Sequence, residues 1–180
     1  MVSQYLKIFF FLVFGWLLVM FQLGFINGLL SLVSGANLVI VILIFILGLK
    51  NGKEAFVWAL WLGVLLDIFS FYFFGLYTIS LSLTVFFSYF LLDRFFTNRS
   101  LYSFLTLVLF ADLFFRLLIF IFVYLFSLFG VLNFVLVSNW WLRQSHGIAV
   151  DLFLTIIIFY GLNLISRNLK PVFLFRKRRR

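Results

Sequence analysis

Three ionisable side chains lie deep inside long apolar stretches of this chain: Asp67, Asp112 and Arg116. A charge at the centre of a bilayer costs about 2.5–3.5 kcal/mol on insertion scales, so such residues pair with one another or serve a function. Asp112 and Arg116 stand at i and i+4 with the acid first, the favourable orientation for a helical ion pair. The three residues could form a structural clamp, a pocket for a partner or lipid, or a pathway for an ion or proton. The clamp is the interpretation that we favour.

The remaining residue types argue against an enzyme. The chain has no cysteine, which excludes thiolate chemistry and cysteine-ligated metal. Its single histidine, His146, lacks co-ligands, and we expect it at the membrane interface. We find no serine–histidine–acid set, H-E-x-x-H motif, P-loop or glycine-rich phosphate cradle. The sequence therefore predicts a non-catalytic protein that needs no cofactor and no metal.

Composition predicts an integral membrane protein of the all-α class. The 180 residues are 66% hydrophobic and 11% charged, whereas soluble domains carry about a quarter charged residues. No soluble domain of this length has enough interior to bury so many apolar side chains.

A helix needs about 20 apolar residues to cross the hydrocarbon core of a bilayer. That length predicts a bundle of about six spans in a single domain, residues 1–170, at about 5–25, 33–49, 55–74, 77–92, 101–124 and 148–165. The start of the second span stays open between Leu29 and Leu38, because serine, glycine and asparagine dilute it. The fifth span could extend as far as Phe129.

Basic residues mark one side of this predicted bundle. Twelve of the 14 Lys and Arg lie at the start of span one, follow span six, or lie between spans two and three or four and five. Short cytoplasmic loops collect such residues, so both termini are predicted to be cytoplasmic. Residues 171–180 form a basic tail that faces anionic lipids, through Arg176, Lys177, Arg178, Arg179 and Arg180. This placement of the formal net charge of +9 argues against nucleic acid as a partner.

The longest predicted outside connector is Gly130–Gly147. We expect a short amphipathic segment there, in which Trp140 and Trp141 anchor in the headgroup layer as interfacial aromatics do. Asp151 follows it, near the outer end of span six, and is expected only to cap the start of that helix.

Gly63, Asp67 and Ser70 recur at i, i+4 and i+7, which places them on one helical face. A glycine allows another helix to approach closely, so Asp67 is expected to face protein. Counted from the cytoplasmic ends of their spans, Asp67, Asp112 and Arg116 lie at depths of roughly 18, 17 and 23 Å. We therefore predict that spans three and five pack together through Asp67, Arg116 and Asp112.

The stretch from Gly63 to Asp93 reads GVLLDIFSFYFFGLYTISLSLTVFFSYFLLD. It resembles the most characteristic region of MreD, the family of bacterial rod shape-determining membrane proteins. That pattern has a glycine, then Leu-Asp-Leu followed closely by a serine, a Leu-Gly-hydrophobic turn, and a helix that ends in a Tyr-Leu-like pair. The matching places hold Gly63, Asp67, Ser70, Gly75, Tyr77 and Tyr89. Asp112, a later acid within a long apolar helix, is also similar to the family.

The resemblance implies a fold similar to the substrate-binding subunits of energy-coupling-factor transporters, in the bacterial cytoplasmic (inner) membrane. It implies a non-catalytic scaffold of the elongation machinery, which maintains cell shape and supports lateral peptidoglycan synthesis. The implied partners are an MreC-like membrane protein and, through it, RodA with its penicillin-binding protein and MreB. The residues expected to serve structure or partner binding are Gly63, Asp67, Ser70, Gly75, Tyr77, Asp112 and Arg116.

A substrate-binding subunit of a vitamin transporter of the energy-coupling-factor type is the alternative function. Such a subunit should carry small-residue patches in span one, typically Ala-x-x-x-Ala, where the coupling partner docks. Span one of this chain contains no alanine, and the connectors at 26–37 and 70–76 carry no charge. Both observations favour the scaffold.

Overall fold

A computed structural model describes residues 2–26, 35–70, 73–95, 100–128 and 140–166. Within these ranges all regular secondary structure is helical, and there is no β-strand. The helices are α1 (Val2–Met20, continued by a π-helical turn at Phe21–Ile26), α2 (Leu38–Leu49), α3 (Gly52–Phe69), α4 (Leu76–Arg94), α5 (Leu101–Leu128) and α6 (Trp140–Ser166).

Three of the described helical segments are long and apolar enough to cross a membrane: Leu76–Arg94, Leu101–Leu128 and Gln144–Leu164. Shorter apolar segments lie in α1 and α2, at Phe9–Gly24 and Leu38–Leu49. These lengths and compositions indicate a membrane protein, in agreement with the composition of the chain.

The shortest of the six helices, α2, lies at the centre of the described bundle. It packs against α3, α4, α5 and α6, and eight of its 12 residues are buried. A helix that is hydrophobic on all sides is a buried helix. At 1.5 Å per residue α2 is only about 18 Å long, which is shorter than the roughly 30 Å hydrocarbon core of a bilayer. Both its ends therefore need polar partners inside the protein or at its edge.

Contacts at successive positions along neighbouring helices show the relative directions of these helices. The ring centroids of Phe11 in α1 and Trp58 in α3 are 4.1 Å apart, and one turn later Gly15 meets Trp61. These two helices are therefore parallel. The next pair, α3 and α4, is antiparallel, because the start of α3 at Gly52 meets the ring of Tyr89 late in α4.

The same reasoning orients α5. Near its start, Phe104 stacks on Phe45 late in α2, with ring centroids 4.9 Å apart, and contacts Phe159 late in α6. Further along, Arg116 reaches the residues that precede α2 and the early part of α6. Hence α5 is antiparallel to both α2 and α6.

Several helix ends differ from the predicted spans. The second helix begins at Leu38, the late limit of the range left open for it, because Asn37 is its N-cap and the Asn37 side chain accepts a hydrogen bond from the Ile40 N–H. The third ends at Phe69, where Ser70 turns into extended backbone. The sixth begins at Trp140 instead of about residue 148. The predicted separate segment on the outer surface is therefore wrong for residues 140–147, which continue into α6.

Candidate functional site

The start of α4 is held by a carboxylate from the preceding helix. Asp67, which is 4% exposed in α3, accepts hydrogen bonds from the backbone N–H of Tyr77 at 2.8 Å and of Thr78 at 3.0 Å. The Thr78 hydroxyl donates to the same carboxylate at 2.5 Å. These are the second and third amides of α4, the ones that an N-cap side chain normally serves. The N-cap position itself holds Gly75, which has no side chain and adopts φ 101°, so Asp67 supplies the missing cap.

Close packing of α3 on α4 makes this cap possible. A Cβ atom added at Gly63 would lie 2.5 Å from the Cα of Thr78, so the glycine lets the backbone of α4 come within reach of Asp67. Ser70, the residue that follows the end of α3, donates its hydroxyl to the carbonyl of Asp67 at 3.4 Å. The predicted interior position of Asp67 and the close approach at Gly63 are both confirmed.

The start of α2 is held in the same way by side chains from two other helices. The carboxylate of Asp151 in α6 accepts the N–H of Asn37, at 2.8 and 3.0 Å from its two oxygens. Gln22, in the π-helical turn after α1, accepts the N–H of Leu38 at 2.9 Å and donates to the carbonyl of Ala36 at 2.8 Å. Unpaired N–H groups at a helix start inside lipid cost several kcal/mol each, and these contacts satisfy them.

Arg116 in α5 joins this α2 start to the rest of the bundle. Its guanidinium donates to Asp112 at 2.9 Å, to Asp151 at 3.4 Å and to the carbonyl of Gly35 at 2.9 Å. A fourth hydrogen bond goes to the side-chain carbonyl of Gln144 in α6. We call Asp112, Arg116, Gln144 and Asp151 the arginine cluster. It connects α5, α6 and the residues that lead into α2, and Asp112 and Asp151 are almost fully buried.

A second pair of close backbones accompanies the arginine cluster. An added Cβ at Gly147 in α6 would overlap the carbonyl of Gly35, the same carbonyl that accepts a hydrogen bond from Arg116. Gly147 therefore does for the start of α2 what Gly63 does for the start of α4.

The pairing predicted between Asp67 and Arg116 is wrong. The Arg116 guanidinium makes ion pairs with Asp112 and Asp151, and the Asp67 carboxylate bonds to the start of α4. Nor do α3 and α5 form a main packing pair, because α3 packs on α1, α2 and α4, and α5 packs on α2, α4 and α6. The predicted ion pair between Asp112 and Arg116 is present.

Asp151 has a larger role than the expected cap of its own helix. It lies well inside α6, which begins at Trp140, and its partners belong to α2 and α5. Sequence reasoning also missed Gln144 and Gly147. A signal was available: Gln144, Gly147 and Asp151 fall at i, i+3 and i+7, which is one face of a helix.

The other predicted residues are placed as follows. Tyr77 lies in the first turn of α4, with its ring centroid 6.3 Å from that of Phe115. His146 is exposed on α6, and its position at the membrane interface stays a prediction. Trp140 and Trp141 form the start of α6, and their side chains lie outside the described part of the molecule. The basic tail at Arg176, Lys177, Arg178, Arg179 and Arg180 also lies outside the described residues.

Chemically, Asp67 and Asp151 both bind backbone amides, and Asp151 also binds the guanidinium of Arg116. No group of three or more His, Asp or Glu with the geometry of a metal site occurs among the residues that the structure describes. No protein-family model, curated protein or solved structure matches this chain.

Proposed function

We propose that this chain is a non-catalytic, six-span scaffold of the bacterial cytoplasmic membrane, with both termini in the cytoplasm. The observation that carries the proposal is the use made of the buried acids. Asp67 binds two amides in the first turn of α4, and Asp151 binds the amide of Asn37, the N-cap residue of α2. Their hydrogen bonds fix where helices begin and how they pack, which is what a framework for other proteins requires.

The alternating helix directions support six spans. Each neighbouring pair that the ring and backbone contacts orient is parallel or antiparallel as an up-and-down bundle requires. The chain lacks cysteine, so single cysteines can be introduced and labelled with a membrane-impermeant maleimide. In intact spheroplasts, we expect labelling of Ser138→Cys and protection of Lys53→Cys and Arg94→Cys until the membrane is permeabilised. Labelling of Lys53→Cys from outside would contradict this topology.

The more specific part of the proposal is a role in the elongation machinery, as in the MreD family. Four of the residues that carry the resemblance, Gly63, Asp67, Gly75 and Tyr77, take part in one contact, the capped α3–α4 hairpin. A pattern whose members build a single structural unit supports a shared architecture. The proposed partners are an MreC-like membrane protein and, through it, RodA with its penicillin-binding protein and MreB. Anionic lipids are proposed to bind the basic tail.

Co-purification tests this role. The tagged chain is expressed with an MreC-like protein in a rod-shaped bacterium that lacks its own MreD, and both complex formation and cell shape are measured. We expect capture of the partner and recovery of rods. Asp67→Ala should reduce both, whereas Glu54→Gln, which changes an exposed acid, should not. Abundant, folded chain that captures no partner and leaves the cells round would contradict the proposal.

The alternative of a vitamin-binding subunit is tested on the same purified protein. A substrate at concentration L that binds only the folded state stabilises it by RT ln(1 + L/Kd), so the unfolding temperature rises as the substrate concentration exceeds Kd. We expect no shift with a panel of water-soluble vitamins. A saturable shift with one of them would favour the transporter subunit.

A further inference from the structure

A groove of about 600 Å³ opens between α1 and α3, a size within the range of small-molecule sites. Its walls are aromatic and aliphatic, and include Phe11, Phe14, Val57 and Trp58. Phe14 and Val57 are 52% and 54% exposed. Beyond the groove, Gly15 lets Trp61 approach α1 closely, so the two helices meet and the groove ends there.

The rim of the groove is charged. Lys50, Lys53 and Glu54 line it, and Lys50 forms an ion pair with Glu54 at 2.9 Å. Within the described residues Lys53 makes no ion pair. Two cations and one acid leave the rim with one excess positive charge, which a single phosphodiester would neutralise.

The start of α3 lies at the same rim and differs from the starts of α2 and α4. Its N-cap residue, Asn51, makes no side-chain cap hydrogen bond, whereas α2 and α4 receive carboxylates. The amides of a helix start and the helix dipole together favour an anion. Charge and amides therefore meet above an apolar groove.

We propose that this groove binds an anionic phospholipid. The phosphate lies at the rim beside Lys50 and Lys53 and near the start of α3, and an acyl chain lies along Phe11, Phe14 and Trp58. The charged rim of the groove matches the phosphate headgroup of a lipid, and its apolar walls match the acyl chain. A free phosphate would leave the aromatic walls unused, and a second copy docking by two-fold symmetry would bring the same cations together. The proposal does not depend on the scaffold function.

Native mass spectrometry of the purified full chain tests the site. The protein is titrated in detergent with phosphatidylglycerol or phosphatidylcholine of identical acyl chains. We expect tight retention of one phosphatidylglycerol and weaker binding of phosphatidylcholine. Lys53→Gln should weaken phosphatidylglycerol binding about fivefold, and Lys50→Gln/Lys53→Gln should weaken it further, since each interfacial cation contributes comparably to anionic lipid attraction. Arg94→Gln, an exposed cation on α4 that stacks on Phe90, is the matched control and should change nothing.

A second variant separates the groove from surface charge. Val57→Trp fills the groove and keeps both lysines, and Val57 is exposed enough to accept the larger ring. We expect it to lose the retained lipid while the unfolding temperature in detergent stays within a few degrees. Equal retention of the two lipids by the native chain, or full retention by Val57→Trp, would overturn the proposal. A dimer that Val57→Trp disrupts without loss of lipid would also overturn it.

Discussion

Two helices of this protein, α2 and α4, are each capped at their start by an acid from another helix. The two acids differ in their separation along the sequence from the amides that they bind. Asp67 lies 10 residues before its partner Tyr77, across the α3–α4 hairpin. Asp151 lies 114 residues after its partner Asn37. The first cap forms within one hairpin, and the second requires that α6 already packs against α2 and α5.

The two acids also differ in their electrostatic surroundings. Asp67 is bound by two backbone amides and one hydroxyl, so its charge is stabilised by neutral donors at a helix start. Asp151 shares the guanidinium of Arg116 with Asp112. The α4 cap is therefore self-sufficient, whereas the α2 cap depends on a cation.

This difference shows that a buried aspartate can act locally, within one hairpin, or collectively, as part of a cluster that joins several helices. A local cap should fail locally when it is removed. Removal of the shared cation from the arginine cluster should release two carboxylates at once, and the consequences should extend over three helices.

The largest effect is therefore expected for Arg116→Met. It leaves Asp112 and Asp151 as buried carboxylates without a cation, and breaking a buried ion pair from one side costs about 3–5 kcal/mol. Unfolding of the purified chain by sodium dodecyl sulfate in mixed micelles measures the loss. Arg94→Gln, an exposed cation, is the control. A loss below about 1 kcal/mol, the value of a surface pair, would show that the cluster is not collective.

The sequence predicted the part of this arrangement that lies within one helix. Asp112 and Arg116 are four residues apart in an uninterrupted apolar stretch, so their ion pair follows from helical geometry. The same stretch predicted α5 from Leu101 onward. The partners of Asp67 could not be found in this way, because they are backbone amides, which every residue carries and no pattern of side chains marks. Arg116 was predicted as the partner of Asp67 only because the two residues lie at similar depths in the membrane. Similar depth does not specify which helices are neighbours.

The start of α2 was hidden for a related reason. A 12-residue helix is too short for the length expected of a span, and Asn37 looked like a diluted part of a longer one. Residues 140–147 of α6 were predicted to belong to a surface connector, because polar residues at a helix start resemble a loop. The polar face of Gln144 and Asp151 becomes visible only when the helix is extended to Trp140.

The glycines at the two sites give the next largest effect and compare the two regions directly. Gly63→Ala places a methyl group 2.5 Å from the Cα of Thr78, and Gly147→Ala places one against the Gly35 carbonyl. Backbone must shift in both cases, at about 1–3 kcal/mol for overpacking. Gly161→Ala is the matched control, because its added Cβ meets no described residue within 4 Å apart from its neighbours in the helix. It should be neutral or stabilising, since alanine favours helix. Equal stability of all three variants in mixed micelles would contradict the close approaches.

Removal of the local cap should cost less than removal of the cation. Asp67→Ala leaves the amides of Tyr77 and Thr78 unpaired, and loss of an N-cap costs about 0.5–2 kcal/mol. We expect a value near the upper end, because the site is buried, and a smaller loss for Asp67→Asn, which keeps one acceptor oxygen. Amide hydrogen exchange provides the local measurement: protection should fall in the first turn of α4 and stay unchanged at the start of α2. Faster exchange at both starts would mean that the two caps are coupled.

The smallest expected effect is the coupling free energy between Asp67 at the start of α4 and Arg116 in the arginine cluster. Its measurement is the most direct test of whether the two regions are independent. Asp67 and Arg116 share no hydrogen-bond partner among the described residues. For independent sites the losses of single variants add to within about 0.3–0.5 kcal/mol. The double variant Asp67→Ala/Arg116→Met should therefore lose the sum of the two single losses.

The matched cycle is Asp151→Asn with Arg116→Met. These residues are in contact, so part of the Arg116→Met loss comes from the charge of Asp151, and neutralising that charge in advance should reduce the loss. We expect a coupling above about 0.5 kcal/mol in this cycle and none in the first. A first cycle with a coupling as large as the second would mean that Asp67 and Arg116 respond to one another. In that case the two helix starts would form one polar network and could not be regarded as separate devices.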